Sequence, residues 1–139
     1  MPAGLTIRPG RLDDSAAVLD LWTRAASLPS VTDTPDGLAR LLAEPGAVLL
    51  LAMAGETIAG SVIGAWDGWR GNIYRLAVSP EYRRRGIARA LVQEVERELA
   101  ARGARRFAAV VEGNHPWAVE FWSSIYEREP NQLRYVKNI

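Results

Sequence analysis

The sequence predicts a mixed α/β sheet with helices on both faces. Strand-like and helix-like stretches alternate in the order β, α, α, three strands, α, β, α, β. An uninterrupted apolar run at Ala47 to Ala54 suits a strand buried on both faces. The strand–helix–strand stretch from Asn72 to Val111 reads as a parallel crossover, expected to be right-handed.

Each element has its own reason. Leu5 to Arg8 alternates with period two and reads as a strand. Leu12 to Ala26 reads as a helix, with Leu12, Ala16, Leu19 and Thr23 on one face and acids in the first turn. Thr34-Pro35 predicts a cap followed by proline at the first helical position. The short helix it starts carries Leu38, Leu41 and Leu42 and stops near Pro45-Gly46. Gly55-Glu56 predicts a tight turn joining Ala47 to Ala54 with Thr57 to Ala65. After the Asp67-Gly68 turn, Asn72 to Val78 is the next strand, ended by Ser79-Pro80. Gly86 to Arg102 repeats Ile87, Leu91, Val95 and Leu99 every four residues and stops at Gly103. Arg106 to Val111 reads as a strand, Asn114 as the cap of a helix through Ser124, and Leu133 to Lys137 as a last strand.

Composition narrows the chemistry. The 139 residues predict one domain over residues 1–139, long enough to bury a core without staples. There is no cysteine, so a disulfide scaffold, a zinc ribbon and a cysteine nucleophile are excluded. The single histidine, His115, leaves no His pair for a metal, and none is expected. No apolar run is long enough for a spanning helix, and Asp13, Asp14 and Asp20 interrupt any leader-like pattern. A soluble, cytoplasmic protein is the expectation. The net charge of +1 argues against a dedicated nucleic-acid binder. The charge is uneven: residues 1–69 hold four Arg against eight acids, and residues 75–106 nine Arg against four.

The informative stretch lies in that basic region. Leu76-Ala77-Val78 ends a strand, Ser79-Pro80-Glu81-Tyr82 turns, Arg83-Arg84-Arg85 comes next, and Gly86-Ile87-Ala88-Arg89 opens a helix. A helix start offers unpaired N–H groups and the positive end of its dipole. Gly86 and Ala88 lack bulk, so a phosphate can come close to the backbone, and arginines add forked donors. Residue chemistry alone leaves three readings open: an anion site, a solvated Arg-rich helix start, and a nucleic-acid patch.

Arg83-Arg84-Arg85-Gly86-Ile87-Ala88 resembles the Q/R-x-x-G-x-G/A signature of the GNAT family of N-acetyltransferases. The Leu-Ala-Val-Ser-Pro-Glu-Tyr lead-in resembles it too, as do Ile7-Arg8-Pro9 at the start and Asn114, Ala118, Phe121 and Trp122 downstream. The segment Asp67 to Val78 is similar to small bacterial members of the YpeA type. The resemblance implies a mostly antiparallel twisted sheet with splayed parallel fourth and fifth strands, and direct acetyl transfer from acetyl-CoA to an amine in a ternary complex. It implies that the backbone of Arg84 to Ala88 cradles the pyrophosphate, with Arg83 and Arg89 adding charge. It also implies that Leu76, Ala77 and Val78 flank the pantetheine arm, with the Val78 N–H polarising the thioester carbonyl. Asn114 is then either a pantetheine contact or a plain helix cap. The implied acceptor is a small-molecule amine or a protein amino group, with no nucleic acid or membrane as partner and a homodimer left open.

The chain departs from the family pattern where protons move. Trp122 occupies the place of the usual tyrosine thiolate donor, and the glycine that usually comes next is missing before Tyr126. Tyr126 or Tyr135 supplies a hydroxyl or merely packs. No strand carboxylate matches the family's glutamate base; Glu112 is the nearest candidate, and Tyr74 is a second, as acceptor contact or water relay. His115 is read as a surface or capping residue. Trp66 and Trp69 line an acceptor wall or pack in the core. Asp33, Asp36 and Asp67 suit a cationic acceptor or are solvated surface. The rival reading to an enzyme is a catalytically weak acyl-CoA-binding module.

Overall fold

A computed structural model of the chain describes residues 3–139. Five strands stand in the sheet in chain order: β1 (Leu5–Pro9), β2 (Ala47–Ala54), β3 (Thr57–Trp66), β4 (Gly71–Val78) and β5 (Phe107–Ala109). All neighbours are antiparallel except β4 and β5, which are parallel and joined through α3 (Ile87–Arg102). The other helices are α1 (Ser15–Arg24), α2 (Pro35–Ala43) and α4 (Pro116–Ile125). The chain divides into two compact units, Met1–Ala109 and Val110–Ile139. The first holds the sheet with α1, α2 and α3; the second holds α4.

Strand alternation sends side chains to opposite faces. Leu49, Leu51 and Met53 of β2 join Val18, Leu21, Trp22 and Leu38 in one cluster under α1 and α2. Against the opposite face lies α3, with Ile87, Leu91, Val95 and Leu99 buried. That helix approaches β3 closely: a Cβ on Gly64 would stand 2.5 Å from Val95 Cγ2, and one on Gly60 would stand 3.1 Å from Leu91 Cδ1. Glycine is therefore the residue that lets helix and strand backbones meet.

Two irregularities mark β4 near its C-terminal end. Ile63 faces Tyr74 and Ser61 faces Ala77, so Arg75 and Leu76 together oppose the single residue Val62. This is a β-bulge, and Arg75 accommodates it with a left-handed φ of 52°. The β4–β5 ladder consists of Gly71–Phe107, Asn72–Ala108 and Ile73–Ala109 only. From Tyr74 onward β4 runs past the end of that ladder.

Four expectations are corrected. The first helix begins with a 3₁₀ turn at Leu12–Asp14, and the α-helix buries Ser15, Val18, Leu21 and Trp22 in place of Leu12, Ala16, Leu19 and Thr23. Both sets have helical spacing; the set with Trp22 carries more apolar surface, and Leu12 is left 61% exposed. Phe107–Ala109 is shorter than the expected Arg106 to Val111. Asn114 does not cap α4: His115 holds the N-cap position, because Pro116 takes the first helical position and forces its predecessor into extended backbone, φ −109° and ψ 95°. Leu133 to Lys137 forms no strand; a strand requires a paired neighbour, none pairs there, and Leu133, Tyr135 and Val136 are exposed. The Thr34 cap does form, its hydroxyl accepting the Gly37 N–H at 3.0 Å.

Candidate functional site

The end of β4 leads directly into the predicted anion site. Ser79 N–H donates to the Ala59 carbonyl at 2.8 Å, which makes Ser79 and Ala59 a bonded pair across β3 and β4. In an antiparallel ladder the next pair, Val78–Gly60, is then non-bonded toward β3. The Val78 N–H and C=O accordingly face the other edge of β4, beyond the end of the β5 ladder. Arg83 Nε donates to that Val78 carbonyl at 3.3 Å.

A 3₁₀ turn at Pro80–Tyr82 comes next, then Arg83 to Gly86. Arg84 and Gly86 both take left-handed backbone, φ 63° and 80°, which turns the chain straight into α3. The first intrahelical bond is Ala90 N–H to the Gly86 carbonyl at 3.1 Å. Gly86 is the N-cap and offers no side chain to the N–H groups of Ile87, Ala88 and Arg89, and no acid lies in the first turn. These are the donors that a helix start leaves for an anion. A Cβ on Gly86 would meet no atom within 4 Å. Glycine is thus demanded there by φ and not by packing, and the space beside its Cα is open. Ile87 turns its side chain into the core, while Arg84, Arg85 and Arg89 are exposed. The Arg85 guanidinium lies over the Tyr82 ring at 5.2 Å.

Two polar links that sequence reasoning missed hold this region from the α1 side. Arg24, at the end of α1, donates from Nη1 to Ser79 Oγ at 2.7 Å and lies 3.6 Å from Glu81 Oε1. Trp22 Nε1 donates to Ser61 Oγ at 2.9 Å, and that hydroxyl donates to the Arg75 carbonyl at 2.9 Å. Arg75 Nη2 bonds Asp33 Oδ2 at 2.6 Å, and its guanidinium stands 5.2 Å from the Trp22 ring centre. The available signal was Arg75 itself, a cation inside a buried strand, which needs a carboxylate partner.

The acids expected to suit a cationic acceptor are mostly engaged elsewhere. Asp33 is paired with Arg75. Asp67 Oδ1 accepts the N–H groups of Trp69 and Arg70 at 2.9 and 2.8 Å, and these bonds hold its carboxyl below the ordinary aspartate value. Asp36 is exposed in the first turn of α2. Trp66 is half-buried at the end of β3; Trp69 is exposed under the Arg70 guanidinium at 4.0 Å. A groove of about 310 Å³ lies along α1 and the segment after it, lined by Leu19, Trp22, Thr23, Pro29, Ser30 and Asp33. Tyr74 is 42% exposed on β4, one residue past the β5 ladder.

The remaining candidates lie in the second unit. Glu112 Oε2 and His115 Nε2 are 2.8 Å apart and about a quarter exposed. Trp122 is buried, with Phe121 edge-on at 5.5 Å and Tyr126 at 4.9 Å between ring centres. The Tyr126 N–H ends α4 on the Trp122 carbonyl at 2.7 Å. Tyr126 is thus a packing partner of Trp122, Tyr135 is exposed, and Asn114 is exposed in the turn before α4. Among the described residues no cluster of potential metal ligands occurs, and no helix is long and apolar enough to cross a membrane.

The sheet thus runs in chain order with one parallel crossover, and that crossover begins at the start of α3, where Gly86 supplies no capping side chain. The model of the acetyltransferase (GNAT) family matches residues 16–124. An acetyltransferase of Sodalis glossinidius is 35% identical over 137 residues, covering 97% of this chain and 96% of its own. One of Photorhabdus laumondii is 39% identical over 108 residues, covering 77% and 75%. The chain therefore belongs to the GNAT family of acetyltransferases. Its fold is shared with an aminoglycoside 6'-N-acetyltransferase from Acinetobacter haemolyticus, TM-score 0.79 at 20% identity over 96% of this chain and 98% of that one. It is shared too with an aminoglycoside acetyltransferase solved with a CoA-linked bisubstrate analogue, TM-score 0.77 at 16% identity over 97% and 98%.

Proposed function

We propose that the chain transfers an acetyl group directly from acetyl-CoA to a primary amine, within a ternary complex. The observation that carries this is the uncapped start of α3, where Gly86 offers no side chain to the first-turn donors and the space at its own Cβ position is open. A pyrophosphate is the group such a cradle suits. In this reading the backbone of Arg84 to Ala88 holds it and Arg83 and Arg89 supply charge. The edge of β4 beyond Ile73 receives the pantetheine arm beside Leu76, Ala77 and Val78. The Val78 N–H stabilises the oxyanion that forms when the amine attacks. The family match runs through both compact units, which supports treating residues 1–139 as one acetyltransferase domain.

An alkyl ammonium, with a pKa of about 10.4, must lose a proton before its lone pair can attack. Glu112, supported by His115, and Tyr74 are the proposed routes for that proton. The tetrahedral intermediate then collapses and expels the CoA thiolate. Tyr126 is the proposed hydroxyl near Trp122, and Asn114, Phe121 and Trp122 are assigned to the pantetheine side. A small-molecule amine is the favoured acceptor, since structural neighbours of this fold act on aminoglycosides. The acyl-CoA-binding module is a second reading because the Trp122 ring, which has no acidic hydroxyl, is buried and in contact with the Phe121 and Tyr126 rings.

Calorimetry with acetyl-CoA tests the cradle. The wild type should bind, and Gly86→Glu should weaken binding by about a hundredfold or more, because a carboxylate among the donors repels the pyrophosphate. Absence of binding by the wild type would sink the enzyme and the module together. Thiol release on a panel of primary amines then separates them: turnover above buffer hydrolysis establishes the enzyme, and binding without turnover establishes the module.

A further inference from the structure

Ser79 is fully buried, and each of its polar groups is engaged. Its N–H reaches Ala59 on β3 at 2.8 Å, its carbonyl accepts the Tyr82 N–H at 2.9 Å, and its hydroxyl accepts from Arg24 at 2.7 Å. The Arg24 guanidinium is itself held by Asp20 Oδ2 at 2.8 Å from Nε and stands 3.6 Å from Glu81. One side chain of α1 therefore grips the chain on both sides of Pro80. The Glu81 carboxyl is held below its ordinary value by its own N–H, by the Ser79 hydroxyl and by Arg24, so it stays charged against the guanidinium. Only Tyr82 to Arg85 separate this grip from Gly86, and Arg83 is tied back to Val78.

We propose that Arg24 is a positioning residue for the anion cradle: by holding Ser79 and Glu81 it fixes the entry of the Arg83–Gly86 turn, and so the aim of the α3 N–H donors. It acts through Ser79 and does not itself contact the ligand. The proposal rests on the acyl-CoA reading of the cradle. A cradle of backbone N–H groups depends on backbone direction, which no cradle side chain can correct. A link from outside the loop is therefore where such direction can be set.

Calorimetry with CoA on wild type, Arg24→Ala, Arg24→Lys, Ser79→Ala and the Arg24→Ala/Ser79→Ala double variant tests it. Arg24→Ala should bind about tenfold more weakly, the loss expected for one charge-assisted hydrogen bond. Arg24→Lys should recover most of the affinity, since an ammonium still donates to Ser79. The double variant should bind no more weakly than Arg24→Ala, because the two side chains form one link. In turnover assays Arg24→Ala should raise the acetyl-CoA KM and leave the acceptor KM unchanged. Wild-type affinity in Arg24→Ala, or losses from Arg24→Ala and Ser79→Ala that multiply, overturns the proposal; multiplying losses mean that Arg24 meets the ligand directly. Should Arg24→Ala unfold, Arg24→Lys and Ser79→Ala decide: near-wild-type affinity in the first with about tenfold loss in the second supports it, any other pattern overturns it. A wild type that does not bind CoA overturns the cradle reading itself, an outcome distinct from every other arm.

Discussion

On the α3 side of the sheet, β3 offers Gly60, Val62 and Gly64, and the helix returns Leu91, Val95 and Leu99. On the α1 side the same strand offers Ser61, whose hydroxyl joins Trp22 to the β4 bulge. Arg24–Ser79, Arg75–Asp33 and Arg8–Asp14 belong to that second side as well, Arg8 lying opposite Leu51 of its cluster. Apolar contacts are non-directional and hold layers together. Charge-assisted hydrogen bonds are directional and fix where a strand end points. The α3 face meets the sheet here through apolar contacts, while the α1 face adds to its own apolar cluster the directional bonds that align the strand and turn of the candidate site.

That division can be broken by experiment. Leu99→Ala truncates a fully buried side chain on the α3 face. It should destabilise the protein by about 3 kcal/mol in urea unfolding. In conditions where the variant is folded, its acetyl-CoA affinity should match wild type; a parallel loss of affinity would show that the faces are not separate. Asp33→Ala leaves the Arg75 guanidinium without its carboxylate and should cost about 2 kcal/mol. Adding Arg75→Gly to Asp33→Ala removes the left-handed strain at φ 52° together with a cation that has lost the Asp33 bond, so the double variant should be more stable than Asp33→Ala alone. A double variant less stable than the single one would mean that Arg75 works through packing.

The smallest effect concerns pH. The Arg8 hydrogen bond, helped by the Arg11 N–H, holds the Asp14 carboxyl below its ordinary value of 3.8. A depressed folded pKa gives stability that is fully present above 3.8 and lost as pH falls through the lower folded value. The gap in urea midpoint between wild type and Arg8→Met should be widest at neutral pH and close as pH falls through the lowered folded value of Asp14. Midpoints that stay equally far apart would detach the pair from the pH dependence of this face.

Local chemistry made much of this legible in the sequence. The bounds of β2 come from an apolar run closed by Pro45-Gly46 and Gly55-Glu56, and α2 starts where Thr34 caps it before Pro35. The candidate anion site could be proposed from sequence because glycine, a helix start and arginines fall within one short stretch. The polar links beside it could not. Trp22 and Ser61 lie 39 residues apart, Asp33 and Arg75 42, and Arg24 and Ser79 55. No local propensity links residues at such separations; only the packed sheet brings them together. The same limit explains α1, where two faces had helical spacing and tertiary packing chose, and Leu133 to Lys137, read as a strand but left without a partner.

The agreement between strand order and chain order also bears on how the sheet is assembled. Each new strand finds its neighbour already synthesised, and no strand must be inserted between two others. The β2–β3 hairpin, closed by Gly55 and Glu56, requires the shortest loop closure and is the natural nucleus. β4 can add to it by a second hairpin, whereas β5 must wait until α3 has formed and crossed. A ribosome releasing this chain would therefore complete the β4–β5 edge of the sheet last.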